Sequence, residues 1–247
     1  MKKIIPLLFI MITLFACSKN KTAPTVTPEV KMQRADKYFH AKKYAKAYPL
    51  YQQIVFERNS SIAADAQMKL AESYYKLHKF AEAEVEYEQL IKLFPDYPEI
   101  NRAYYQMGKC YMELSPGAQY TQEDTNKAID AFQTFIDKFP NDPLRTTALD
   151  DLQKAQYKLL EKEYNNGYIY YKMGDYSSAM LYFSEIKDLG NKDRLEKMSL
   201  YYSAKIFIFQ KNWLLAKQTY EALNKDFPKA KETLRIKTKL QHYKQLD

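Results

Sequence analysis

The chain has 247 residues, 46% hydrophobic and 28% charged, with a formal net charge of +8, 5 Gly, 2 Cys and 3 His. Glycine is too scarce for most phosphate-cradling folds, and neither G-x-G-x-x-G nor G-x-x-x-x-G-K-[ST] occurs. The histidines (His40, His78, His242) and cysteines lack H-E-x-x-H or C-x-x-C spacing, which argues against a zinc site or a redox pair. What stands out is 23 Tyr beside 5 Gly, and 32 Lys beside 6 Arg, a balance that points to a helical, surface-rich protein.

The chain opens MKKIIPLLFIMITLFACSKN. Lys2 and Lys3 form a basic start and Ile4 to Phe15 an uncharged apolar run. Twelve helical residues reach about 18 Å, short of the roughly 30 Å hydrocarbon core, so the segment has the shape of a secretory signal rather than a spanning helix. Leu14-Phe15-Ala16-Cys17 resembles the bacterial lipobox, whose Cys is lipidated and becomes the mature N-terminus; the alternative is an ordinary signal that happens to contain a Cys. Acylation at Cys17 would hold a water-exposed domain to a membrane, since buried acyl chains contribute about 0.8 kcal/mol per CH₂. Ser18 rather than Asp follows the Cys, and Lys19-Asn20-Lys21 has no acidic cluster, so the expected location is the periplasmic face of an outer membrane. Residues 1–16 are thus expected to be a signal peptide and 17–30, with Pro24 and Pro28, a lipidated Cys and flexible tether. Cys110, without a partner once Cys17 is acylated, reads as a packed helical residue.

From residue 31 the chain is a repeat. Lys42-Lys43-Tyr44-Ala45-Lys46-Ala47-x-x-x-Tyr51 returns as His78-Lys79-Phe80-Ala81-Glu82-Ala83-x-x-x-Tyr87, then from Gly174 to Phe183 and from Lys211 to Tyr220, with a further copy from Thr125 to Phe132. Ahead of each lies a small residue, Ala35, Ala71, Gly108, Gly167 or Ala204, followed three positions later by Tyr38, Tyr74, Tyr111, Tyr170 or Phe207. Phe-Pro closes three copies, at Phe94-Pro95, Phe139-Pro140 and Phe227-Pro228. This looks like the tetratricopeptide pattern of helix–turn–helix units of about 34 residues. Small residues let paired helices approach, aromatics fill the groove between them, and proline ends the second helix. The expectation is an all-α tetratricopeptide-repeat solenoid over 31–247. It comprises about five repeats (31–59, 60–96, 97–141, 142–190 and 191–228) and a C-terminal capping helix over 229–247. Many tyrosines then belong to the core or the inter-helix groove.

Two departures follow. Gly108 and Ala128 are 20 residues apart where the other copies have 12, and the excess falls within 115–124, between two helices. Pro116 and Gly117 break the first helix, and Thr121 or Asp124 is expected to cap the next. Such loops are often functional, and a tolerated insertion is the equal alternative. After Pro140, Asn141-Asp142-Pro143 reads as a helix start with Asp142 as N-cap, and nothing but Gly167 interrupts the pattern from Leu144 to Met173. A helix of about 30 residues, near 45 Å, is expected to join the third repeat to the fourth.

These departures carry a family resemblance. Ser115-Pro116, Asp124-Thr125, Ala128-Ile129-x-x-Phe132-Gln133-x-Phe135-Ile136-x-x-Phe139-Pro140 resembles the signature segment of BamD. So do Glu161-Lys162-Glu163 and Gly167-x-x-Tyr170-Tyr171-x-x-Gly174-x-Tyr176-x-x-Ala179. BamD is the tetratricopeptide lipoprotein of the outer-membrane β-barrel assembly machine. The resemblance implies a non-enzymatic scaffold with no cofactor and no metal. Its amino-terminal repeats would receive unfolded outer-membrane β-barrel proteins, and its carboxyl-terminal repeats would hold the POTRA domains of a BamA-like barrel protein. Tyr38, Tyr74, Pro116, Gly117, Gln119, Tyr120 and Arg194 are the candidate partner- and substrate-binding residues. The chain departs from the family pattern at Lys187-Asp188-Leu189-Gly190, where Tyr-Pro is typical, and in using lysine where arginine is frequent. The rival is another periplasmic tetratricopeptide lipoprotein, an adaptor for envelope secretion or cell-wall enzymes.

Without Lys2 and Lys3 the charge falls to +6, which favours acidic partners or anionic head groups; the export signal disfavours nucleic acid. Lysines spread along helix surfaces read first as solvation. The stretch from Lys229 to Lys244 reads as the cap, with partner binding as its second reading. No carboxylate pair has the apolar setting that would separate two pKa values, so no catalytic residue is assigned.

Overall fold

A computed structural model of the chain describes residues 27–57 and 62–243. The signal peptide, Cys17 and the tether up to residue 26 lie outside the described residues. Among those described, eleven α-helices follow one another and there is no strand. They are α1 (Pro28–His40), α2 (Tyr44–Phe56), α3 (Ala63–Lys76), α4 (Phe80–Leu93), α5 (Ile100–Leu114), α6 (Glu123–Lys138), α7 (Arg145–Met173), α8 (Tyr176–Leu189), α9 (Arg194–Phe209), α10 (Trp213–Asp226) and α11 (Lys231–His242). Each packs on the next in antiparallel hairpins, and α9 also touches α7 and α11, the stacking of a tetratricopeptide solenoid.

The repeat positions explain the close packing. Ala47, Ala83, Ala128, Ala179 and Ala216 are all fully buried, as are Ala35, Ala71 and Ala204 on the facing helices. The aromatic four residues after each second-helix Ala is also buried: Tyr51, Tyr87, Phe132, Phe183 and Tyr220. Where the facing residue is Gly, the ring is Phe and lies on the helix backbone. A Cβ at Gly108 would stand 2.7 Å from the Phe132 ring, and one at Gly167 would stand 2.9 Å from Phe183. Neither glycine has room for a methyl group.

The turn inside four of the five hairpins is equally regular, the α5–α6 loop being the exception. Lys42, His78, Gly174 and Lys211 take φ of 55°, 58°, 83° and 56°, the left-handed conformation that ends a helix. The next residue donates its N–H back five positions, Lys43 to Tyr38 O (2.8 Å), Lys79 to Tyr74 O (3.0 Å), Asp175 to Tyr170 O (3.1 Å) and Asn212 to Phe207 O (2.8 Å). These bonds satisfy carbonyls that the helix end would otherwise leave without a partner. The repeat aromatics therefore act through their backbone as well as their rings. The Phe-Pro ends are alike too: Phe94, Phe139 and Phe227 share φ near −130°, because a following proline disfavours the helical conformation.

Three helix starts differ from expectation. α1 begins at Pro28, inside the segment read as tether, because a proline in the first turn needs no N–H partner and is preset at φ near −65°. α7 begins at Arg145 with Leu144 at its N-cap, not Asp142; the Asp142 carboxylate instead accepts the Leu144 N–H (2.7 Å) in the preceding turn. α6 begins at Glu123 behind Gln122, so neither Thr121 nor Asp124 is its cap. The Gln122 side chain is used in closing the loop before it, as described below.

Four apolar clusters run along the solenoid in chain order, and α7 belongs to two of them. Its first half places Ala148 and Leu152 against Phe132, Phe135 and Ile136, and its second half places Tyr164 against Phe183 and Ile186. At 29 residues it extends about 44 Å, a single rod between two cores. At the far end α11 seats Thr233, Ile236 and Leu240, one helix face, on α9 and α10, and leaves Leu234 exposed. Cys110 is fully buried, and burial pushes its thiol up to about 12.

Candidate partner-binding surfaces

The residues singled out from the sequence fall in two places. Tyr38 and Tyr74 belong to the first two repeats. Tyr74 is nearly buried, its ring tilted over Tyr48 with centroids 5.0 Å apart, and Lys79 stands over both rings at 5.6 and 5.8 Å. Burial, then the nearby Glu86, raises the Tyr74 hydroxyl above its ordinary range. Tyr38 is half-buried against the same core, under the Lys46 ammonium at 5.9 Å. Tyr38 and Tyr48 are the accessible members of this group.

Pro116, Gly117, Gln119 and Tyr120 lie in the loop between α5 and α6, which is closed by its own polar groups. The buried Gln122 amide donates to Gly117 O (2.9 Å) and Tyr120 O (3.1 Å), and its carbonyl accepts from Thr125 (2.7 Å). Ala118 is tucked inside. Two lysines of α7 then fasten the loop from outside. Lys158 donates to the Ser115 carbonyl (2.9 Å) and hydroxyl (2.6 Å), and Lys162 to the Tyr120 carbonyl (2.7 Å). Burial lowers the Lys158 pKa, while nearby Glu161 acts the other way. The result is a fixed platform that exposes Gly117, Gln119 and the Tyr120 ring, which is 60% accessible.

Arg194, at the start of α9, pairs with Glu161 of α7 at 2.6 Å. The loop and Arg194 therefore converge on one stretch of α7, residues 158–162, whereas Tyr38 and Tyr74 belong to the other end of the chain's repeats. Gln122, Lys158 and Lys162 escape a sequence reading as part of this site. The Glu161-Lys162-Glu163 run was visible, but nothing in the spacing ties it to a loop some forty residues earlier.

Among the described residues no group of His, Cys, Asp and Glu is arranged to hold a metal ion, and no helix is long and apolar enough to cross a membrane. The most enclosed carboxylate, Asp151, is taken up by structure: it accepts from Tyr105 (2.9 Å), Lys109 (3.2 Å) and Lys154 (2.7 Å). Burial opposes its ionisation, but those three hydrogen bonds together hold its carboxyl below the usual range.

A family model described as outer membrane lipoprotein, YfiO, matches residues 27–188, more than half of the chain and all of the loop and the long helix. The chain belongs to this family. A tetratricopeptide-repeat model matches residues 198–230 of this YfiO-family protein, the α9–α10 hairpin. No curated protein matches it. Similar solved structures include the TPR2AB domain of yeast Sti1 (15% identity, TM-score 0.46, 88% of this chain and 84% of that one). They also include PilF of Pseudomonas aeruginosa (14%, TM-score 0.43, 86% and 82%) and the second TPR domain of human RPAP3 (22%, TM-score 0.41, 53% and 98%). The YfiO-family chain is thus a tetratricopeptide protein of an outer membrane lipoprotein family, and its surfaces are those of a protein-interaction scaffold.

Proposed function

We propose that this YfiO-family protein is a periplasmic scaffold, tethered to the outer membrane through lipidated Cys17, that couples unfolded β-barrel proteins to the POTRA domains of a BamA-like barrel protein. The observation that carries the reading is the family match over 27–188, which includes the pinned loop and the long helix that bear its most specific sequence features. The accessible aromatics of the first two repeats suit incoming chains, because rings with a polar edge bind extended apolar–polar sequence. A stiff α7 then keeps those aromatics at a fixed distance from the carboxyl-terminal repeats.

The test is affinity purification from detergent-solubilised envelopes. A POTRA-containing barrel protein should be recovered, and depletion should lower outer-membrane barrel levels. Recovery of none, with barrel levels normal after depletion, would defeat the proposal; recovery of secretion or cell-wall proteins alone would favour a different periplasmic adaptor. The anchor is tested separately. Cys17→Ser should move the protein from the membrane to the soluble fraction, and its persistence as a detergent-extractable membrane protein would remove lipidation as the tether.

A further inference from the structure

A cavity of about 610 Å³ opens where the end of α7, the start of α8, α9, the start of α10 and α11 meet. Its walls are rings: Tyr171, Tyr176, Phe209, Trp213 and Tyr243. Tyr176 meets Phe209 edge-on at 5.2 Å and Trp213 lies 5.1 Å from Tyr243, so the rings form two braced sides. Phe209 nevertheless stays 70% exposed, an apolar surface that folding leaves open to water.

The charge of this cavity is one-sided. Three lysines line it, Lys205, Lys211 and Lys239, and no Asp or Glu does. Among the described residues none of the three has a carboxylate within 4.0 Å. Lys205 instead stands over the rings of Tyr171, Tyr202 and Tyr201, at 5.0, 5.3 and 5.5 Å. Those rings hold its ammonium in place without neutralising it. The cavity between α7 and the α8–α9 turn, by contrast, carries Glu163 and Asp193.

We infer that this groove binds an acidic segment of a partner polypeptide, one in which an aromatic or aliphatic side chain is flanked by carboxylates. The apolar side chain enters between Phe209 and Trp213, and the carboxylates reach Lys205, Lys211 and Lys239. A pocket of several hundred Å³ with apolar walls and a few convergent charges is the ordinary form of a specific binding site. The inference rests on the groove alone, so its failure and the failure of the barrel-assembly reading are separable.

Trp213 is the chain's single tryptophan and reports on the groove directly. The detergent-solubilised protein is titrated, at low salt, with a synthetic decapeptide of Glu and Gly residues around one Phe, and with the same peptide carrying Gln for Glu. The Glu peptide should change Trp213 emission saturably and bind at least about tenfold more tightly than the Gln peptide, with the difference shrinking as salt rises. Lys211→Gln with Lys239→Gln, both at exposed positions, should weaken the Glu peptide by roughly tenfold while far-ultraviolet circular dichroism is unchanged. Equal affinity for the two peptides overturns the inference, and this comparison needs no variant. So does undiminished binding in the double variant, or a Trp213 response to phosphatidylglycerol vesicles with none to the peptide.

Discussion

At the scale of single residues, the repeat is a set of steric agreements. Phe132 and Phe183 lie on bare helix backbone because Gly108 and Gly167 face them, whereas Tyr51, Tyr87 and Tyr220 serve the repeats whose facing residue is Ala. Gly108→Ala gains about 1 kcal/mol of helix propensity but sets a methyl 2.7 Å from the fully buried Phe132 ring, which must shift within a packed core. We expect a net loss of about 1–2 kcal/mol, read as a lower midpoint in chemical denaturation; a more stable variant would show that the ring moves aside freely. The left-handed turn offers a matched pair of opposite sign. Gly174→Ala forces a Cβ into a φ of 83° and should cost about 1 kcal/mol. Lys42→Gly, at the equivalent position, relieves that cost and should raise stability by about 0.5 kcal/mol, or 1–2 °C in Tm by circular dichroism. Spacing made these positions legible as a repeat. It did not reveal that four of the five turns use a positive φ, because only one of the four carries the glycine that announces it.

At the scale of elements, polar staples hold one helix to another, and these were the least visible from the sequence. The excess of residues between Gly108 and Ala128 located the loop, since counting is enough to find an insertion. Its rigidity depends on Gln122, whose amide reads as an ordinary polar residue before α6, and on Lys158 and Lys162, which sequence distance separates from it. Asp151 is the corresponding staple between α7 and α5, receiving Tyr105 and Lys109 across the interface. Its pKa is lowered below the 3.8 of an unperturbed Asp. A depressed folded-state pKa stabilises the fold above the unfolded value, and that contribution is lost as pH falls through 3.8 and on toward the folded pKa. Asp151→Asn should therefore cost about 2 kcal/mol at pH 7 and make the variant's stability fall less than the parent's between pH 5 and about 2. Parallel pH profiles, measured by urea denaturation, would mean that the carboxylate charge contributes nothing to the staple.

At the scale of the whole molecule, the length of α7 decides whether the solenoid behaves as one body. An ordinary repeat would end a helix between the cluster around Phe132 and the cluster around Phe183; here no turn intervenes from Arg145 to Met173. The absence of Gly and Pro between Leu144 and Asn166 made the continuous helix readable, although its exact start was not, because the Asp142-Pro143 signal serves the turn and not the cap. Continuity has a mechanical consequence. Backbone hydrogen bonds through the middle of α7 transmit position between the pinned loop and the α9–α11 end, so bending there moves one set of surfaces relative to the other. Gln156 is exposed and lies between Leu152, which packs on the first cluster, and Leu160, which packs on the second. Gln156→Pro removes one i to i−4 bond and drives the ring into the preceding turn, at a cost of about 3 kcal/mol, while replacing a side chain that belongs to neither core. Thermal unfolding should then separate into two transitions, because the clusters on either side no longer share a rigid element. Gln156→Ala, which keeps the helix, should retain a single transition at the parental temperature. If the proline variant also unfolds in one step, the coupling between halves resides in the packing of α6 and α8 against α7, and α7 is a spacer whose stiffness the scaffold does not use.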